Sequence, residues 1–109
     1  MTKRSNWPTP ASVRRAIGEI GRDITTWRKL QGLTAARVAD RAGVDVKTLR
    51  TLEHGEGSIS LENALRIARA LGILDRIATA FDPYETDVGR LRTDERLPQR
   101  IRAPRSGDD

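Results

Sequence analysis

No cysteine occurs among the 109 residues, which excludes disulfide frameworks and thiolate metal sites. Histidine is nearly absent too: His54 stands alone beside Gly55, with no second metal-ligating side chain near it in sequence. A capping or solvated role therefore suits it better than a metal site. No apolar run approaches the roughly 20 residues needed to cross a bilayer, and the opening MTKRSNWPTP lacks the apolar stretch of a signal peptide. With no Cys, one isolated His and no convergent carboxylate pair, there is nothing from which to assemble a nucleophile and its base. These absences predict a soluble cytoplasmic protein that is not an enzyme and takes no cofactor or metal.

What is present is charge. Charged residues make up 32% of the chain, and the net charge is +5. The surplus is uneven: residues 1–15 carry Lys3, Arg4, Arg14 and Arg15 with no acid among them. A basic surplus favours polyanionic partners such as nucleic acid, although charge alone discriminates poorly. The length suits one domain with tails. We read residues 1–9 as a flexible basic arm, 10–81 as the domain and 82–109 as a charged extension.

Within the domain, apolar spacing predicts five helices and no strand. Thr9 and Pro10 suit a helix entrance, as cap and first helical residue. Val13, Ile17, Ile20, Ile24, Trp27 and Leu30 follow at steps of 4, 3, 4, 3 and 3, one stripe of a long helix. Gly18 and Gly21 interrupt it, each costing about 1 kcal/mol relative to alanine, so its first half is expected to fray or bend. Thr34 caps a short second helix with Val38, Ala39 and Ala42 inward. Gly43 ends that helix, Asp45 caps a third with Leu49 and Leu52 inward, and Gly55 closes it. Ser60 caps a fourth, whose buried face is Leu61, Ala64, Leu65, Ala68 and Leu71. A fifth uses Leu74, Ile77, Ala78 and Phe81 before Asp82-Pro83 breaks it. From Asp82 onward six arginines face seven acids, among three prolines. That composition reads either as a disordered solvated tail or as a segment that orders on a partner or across a dimer.

The tight junction in ADRAGVDVKTLRTLE carries the function. Two short helices joined over a glycine-containing turn of three or four residues form a helix-turn-helix unit. With Ala39, Gly43, Val44 and Leu49 turned inward, Val46, Lys47, Thr48, Arg50 and Thr51 are left outward or flanking. They offer an ammonium, a guanidinium fork and two hydroxyls close together. The major groove of DNA, about 12 Å wide, admits a helix and presents guanine acceptors that an arginine fork grips bidentately. The plainer alternative for Arg50 is an exposed arginine paired with Glu53 one turn on, worth about 0.2–0.5 kcal/mol. The stretch Gly55-Glu56-Gly57-Ser58 lacks the lysine and preceding strand of a phosphate loop, so it reads as a plain connection.

Residues 17–81 resemble the lambda-repressor-like, or XRE-type, helix-turn-helix domain of phage repressors and bacterial regulators. The matching text is WRKLQGLTAARVADRAGVDVKTLRTLEHG followed by SLENALRIARALGI, and the resemblance covers about 60% of the chain. It implies an all-α fold, double-stranded DNA as partner, and a homodimer reading a palindromic operator with half-sites about 34 Å apart or a multiple of that. It also implies a structural pair between Arg28 of helix one and Glu53 at the end of helix three. The family often has Gln at the first position of helix two, where it contacts phosphate; here that position is Ala35. Thr34 and the helix N-terminus can still meet a phosphate, and Lys3 and Arg4 of the arm can supplement them. The tail DPYETDVGRLRTDERLPQRIR is similar to that of HipB-type antitoxins, which partner HipA-like kinases. That second resemblance implies an autoregulating antitoxin of a toxin–antitoxin pair. The competing readings are a stand-alone phage-like repressor and an interaction module whose DNA binding is secondary.

Overall fold

The computed structural model describes residues 7–96, which divide into two compact units, one ending at Leu74 and the other starting at Asp75. Among the described residues the architecture is all-α. Six helices run Ala11–Leu30 (α1), Ala35–Ala42 (α2), Val46–Glu53 (α3), Leu61–Leu71 (α4), Leu74–Ala80 (α5) and Asp87–Arg96 (α6). A single 3₁₀ turn, Pro83–Glu85, precedes α6.

In the first unit, α2 packs on α4 and α3, while α1 lies chiefly along α3. Val38, Leu49 and Ile67 are fully buried at the centre, with Ile24, Ala39, Ala68 and Leu71 around them. Each of the three large side chains contributes roughly 1.5–3 kcal/mol by leaving water. The small residues Ala39 and Ala68 let the helices approach. The boundaries follow local chemistry: Thr34 Oγ1 accepts the Arg37 N–H (3.1 Å), and Ser60 Oγ accepts that of Asn63 (3.0 Å).

Several expectations change. Pro10 itself holds the cap position of α1, where it has no N–H to offer, and its carbonyl receives the N–H groups of Val13 and Arg14. Thr9 makes no cap; its carbonyl accepts from Arg14 NH1 (2.6 Å). α1 runs unbroken through both glycines. Only Ile24 of its stripe is buried; Val13 (45%) and Ile20 (51%) are exposed, as is Leu30. On α4 the buried face centres on Ile67, which the expected stripe omitted, while Leu61 is 68% exposed. Leu61 stands in the first turn, where it borders a groove with Ala42, Leu65 and Leu74 and is not covered.

The second unit departs further. α5 buries no residue, and Phe81, expected inward, is 82% exposed. The segment after it has regular structure as far as Arg96. Asp82 Oδ1 accepts the Tyr84 N–H (2.9 Å) to start the 3₁₀ turn, and Thr86 Oγ1 caps α6 through the Gly89 N–H (2.9 Å). Gly89 brings α6 against the turn, since a Cβ there would press on the Pro83 carbonyl. Thr93 Oγ1 donates to the Gly89 carbonyl (2.7 Å), and Arg90 pairs with Asp87 (2.8 Å). Local polar bonds, which a dense alternation of charge conceals from periodicity arguments, hold this helix.

Candidate nucleic-acid interface

The junction between α2 and α3 is built on one left-handed residue. Gly43 (φ 75°) follows α2, and the N–H groups of Gly43 and Val44 both donate to the Ala39 carbonyl, at 2.9 and 3.0 Å. That pattern satisfies the last carbonyls of α2 and turns the chain within three residues. Asp45 then takes the cap position of α3, but its side chain makes no capping hydrogen bond; only its carbonyl is used, by the Leu49 N–H. The expected side-chain cap is therefore absent. The carboxylate remains favourably placed at the positive end of the helix.

α3 is pinned from below and at its far end. Leu49 is its one fully buried side chain. At the C-terminus Arg28 reaches over from α1: its Nε donates to Glu53 Oε2 (2.7 Å) and its NH2 to Oε1 (3.0 Å). The third branch, NH1, donates to the Leu33 carbonyl (3.1 Å) just before α2. One guanidinium thus ties three segments together. The hydrogen bonds it donates to Glu53 push the Arg28 pKa up, burial opposes this and the carboxylate's charge adds to it. Glu53 pairs with Arg28, and the alternative ion pair of Arg50 with Glu53 is not formed.

Gly21 and Gly55 set the spacing. A methyl at Gly21 would lie 2.7 Å from the Glu53 carbonyl oxygen, and one at Gly55 would lie 2.9 Å from Gly18 Cα. Of the two glycines expected to weaken α1, Gly21 therefore lets it press against the end of α3. A glycine inside a helical stripe, Gly21, was the available signal for this contact.

Val46, Lys47 and Arg50 are exposed on the outer side of α3, and among the described residues Lys47 and Arg50 make no ion pair. Thr48 and Thr51 are half-buried on its flanks, Thr51 beside the loop at Gly57. Thr34 is exposed at the head of α2; its oxygen accepts from Arg37, leaving the hydroxyl proton to donate outward. Ala35 beside it is buried, and its methyl side chain offers no polar atom. Lys3 and Arg4 lie outside the described residues. His54 is exposed after α3, and no cluster of metal-ligating side chains occurs among the described residues. No described helix is long and apolar enough to cross a membrane.

A family model described as helix-turn-helix matches residues 24–81, more than half of the chain. The chain belongs to the helix-turn-helix family. Its α2, turn and α3 lie inside the matched segment, and the XRE-type resemblance of the sequence holds in an all-helical fold. Over 45 residues the helix-turn-helix protein is 53% identical to an uncharacterized HTH-type transcriptional regulator of Methanothermobacter thermautotrophicus. That alignment covers 41% of this chain and 65% of the relative, just under two thirds of its length. No solved structure gives a significant match.

Proposed function

We propose that this helix-turn-helix protein is a sequence-specific DNA-binding regulator, a repressor that acts as a homodimer on a palindromic operator. The observation that carries the reading is the outer edge of α3: Val46, Lys47 and Arg50 face solvent, and neither cation is neutralised internally. In this reading Arg50 grips guanine, Lys47 meets guanine or phosphate, Val46 packs on a thymine methyl, and Thr48 and Thr51 contact the flanks. Thr34 and the N–H groups heading α2 take a backbone phosphate, and Lys3 and Arg4 add sequence-independent affinity. The regulator named among the relatives supports the same role.

The test is selection of bound fragments from random duplex DNA, followed by titration of the selected site. Arg50→Ala should weaken binding by about 1–3 kcal/mol and relax preference at one base position. A protein that ignores every duplex at low salt would end the proposal; unchanged binding and preference in the variant would remove Arg50 from it. The antitoxin role rests on the tail's likeness to HipB-type proteins, and the exposed Val88 and Leu91 of α6 are available to a kinase partner. Co-purification with a HipA-like kinase tests that role; its failure leaves the stand-alone repressor.

A further inference from the structure

The helix-turn-helix match begins at residue 24, yet α1 begins at Ala11, so Gly18 and Gly21 precede the matched segment. Gly21 and Arg28, two helical turns apart on α1, both reach the end of α3. Arg28 draws Glu53 in through two hydrogen bonds, and Gly21 sets how close that draw can bring the helices. A Cβ at Gly21 would press on the Leu52 carbonyl and lie 2.7 Å from the Glu53 carbonyl oxygen. Both obstacles are backbone, so no side chain can swing aside to relieve them. Gly55 repeats the device from the far side of the contact, where a Cβ would lie 2.9 Å from Gly18 Cα.

From this we infer that Gly21 is a positioning residue for sequence recognition, fixing the tilt at which α3 presents Val46, Lys47 and Arg50. The inference rests on the DNA-binding reading for its purpose and on the contact between α1 and α3 for its evidence. Leu49, fully buried in the middle of α3, is the pivot. At about 1.5 Å of rise per residue, Leu52 and Val46 lie about 4.5 Å from it along the axis, on opposite sides. A methyl at Gly21 would have to drive the Glu53 carbonyl from 2.7 Å to the ordinary contact distance of 3.4 Å, about 0.7 Å outward. Tipped about Leu49, the helix carries a displacement of similar size, in the opposite direction, to Val46 and Lys47. The long Arg50 side chain swings with it. Good N–H···O bonds span only about 2.7–3.2 Å, so bonds to base edges do not survive such a shift. Attraction to phosphates, which depends on charge at longer range, does survive it. Sequence preference should therefore fall while sequence-independent affinity stays.

The test uses the full chain, comparing Gly21→Ala with Gly18→Ala, whose methyl meets only the end of the Arg22 side chain at 3.6 Å. Each variant is titrated with a selected duplex and a scrambled one, at a temperature where circular dichroism shows it folded. Gly21→Ala should lower the ratio of the two affinities about tenfold or more and leave scrambled-duplex binding unchanged. Gly18→Ala should leave the ratio unchanged. A partly unfolded protein would lose both affinities alike. In an Arg50→Ala background the loss from Gly21→Ala should shrink, since both changes act on one contact. In DNA-free protein, the amide NMR signals of Val46, Lys47 and Arg50 should shift in Gly21→Ala and stay in place in Gly18→Ala. Equal losses on both duplexes, full additivity with Arg50→Ala, or unmoved amide signals would each overturn the proposal. Gly55→Ala presses on Gly18 from the far side, should lower the ratio in the same way, and replaces Gly21→Ala if that variant does not fold. Loss of the fold in both would assign the contact to stability alone and overturn the proposal too. Failure of the two readings is distinguishable. An unaltered protein that selects no duplex removes the DNA-binding reading, while the amide signals still decide whether Gly21 sets the pose of α3. A selective protein whose ratio survives Gly21→Ala keeps that reading and removes Gly21 from it.

Discussion

α2 and α3 contain eight residues each, stand three residues apart, and differ in almost everything else. Four residues of α2 are buried; α3 buries Leu49 alone. A side chain caps α2, whereas the cap residue of α3 contributes only its carbonyl. Helices this short are marginal in isolation, so both depend on their surroundings. α2 obtains its support through its own buried face. α3 obtains it from one leucine beneath and one guanidinium at its end, which leaves its Val46, Lys47 and Arg50 edge exposed. Burial therefore separates supporting helix from presented helix more sharply than residue type does.

The contrast can be broken most forcefully at Leu49. Leu49→Ala should cost about 2–5 kcal/mol in chemical denaturation, while Val46→Ala, three residues earlier, should stay within about 0.5 kcal/mol. Equal costs would mean that α3 has no inner and outer side. The support at its far end is tested at the glycines of α1. Gly21→Ala should destabilise by about 1–3 kcal/mol, because the methyl meets backbone carbonyls that cannot move aside. Gly18→Ala meets only the end of the Arg22 side chain at 3.6 Å and should stabilise by up to about 1 kcal/mol. Thermal melts that order the two variants the other way would refute the close approach of α1 to α3. The smallest effect concerns the caps. Thr34→Ala should cost about 1 kcal/mol, and Asp45→Ala about half of that or less, since only charge–dipole attraction is lost.

The helices of the first unit were legible in the sequence because their ends are written in local chemistry. Thr34, Gly43, Ser60 and Gly72 act where spacing places them, and Gly43 and Gly72 adopt positive φ. Depth of burial was less legible. The stripe of α1 is real, but its first half extends past the helices that could cover it, so Val13 and Ile20 stay wet. Ile67 was overlooked because a stripe drawn through Leu61 and Leu65 lies to one side of the true contact with α2. The second unit resisted for another reason: α6 forms through the Thr86 cap and the Gly89 contact, without an apolar face to announce it. At the candidate site, the outward set on α3 could be inferred from which positions the turn requires inward. The threefold grip of Arg28 could not, because the Leu33 carbonyl carries no side-chain signature.

That grip has a consequence for how such a protein can change. Position and tilt of the presented helix are decided by residues that never reach its outer edge, and the edge residues hold nothing else in place. If α3 reads DNA as proposed, exchanging Val46, Lys47 or Arg50 should rewrite what is recognised while the framework stays intact.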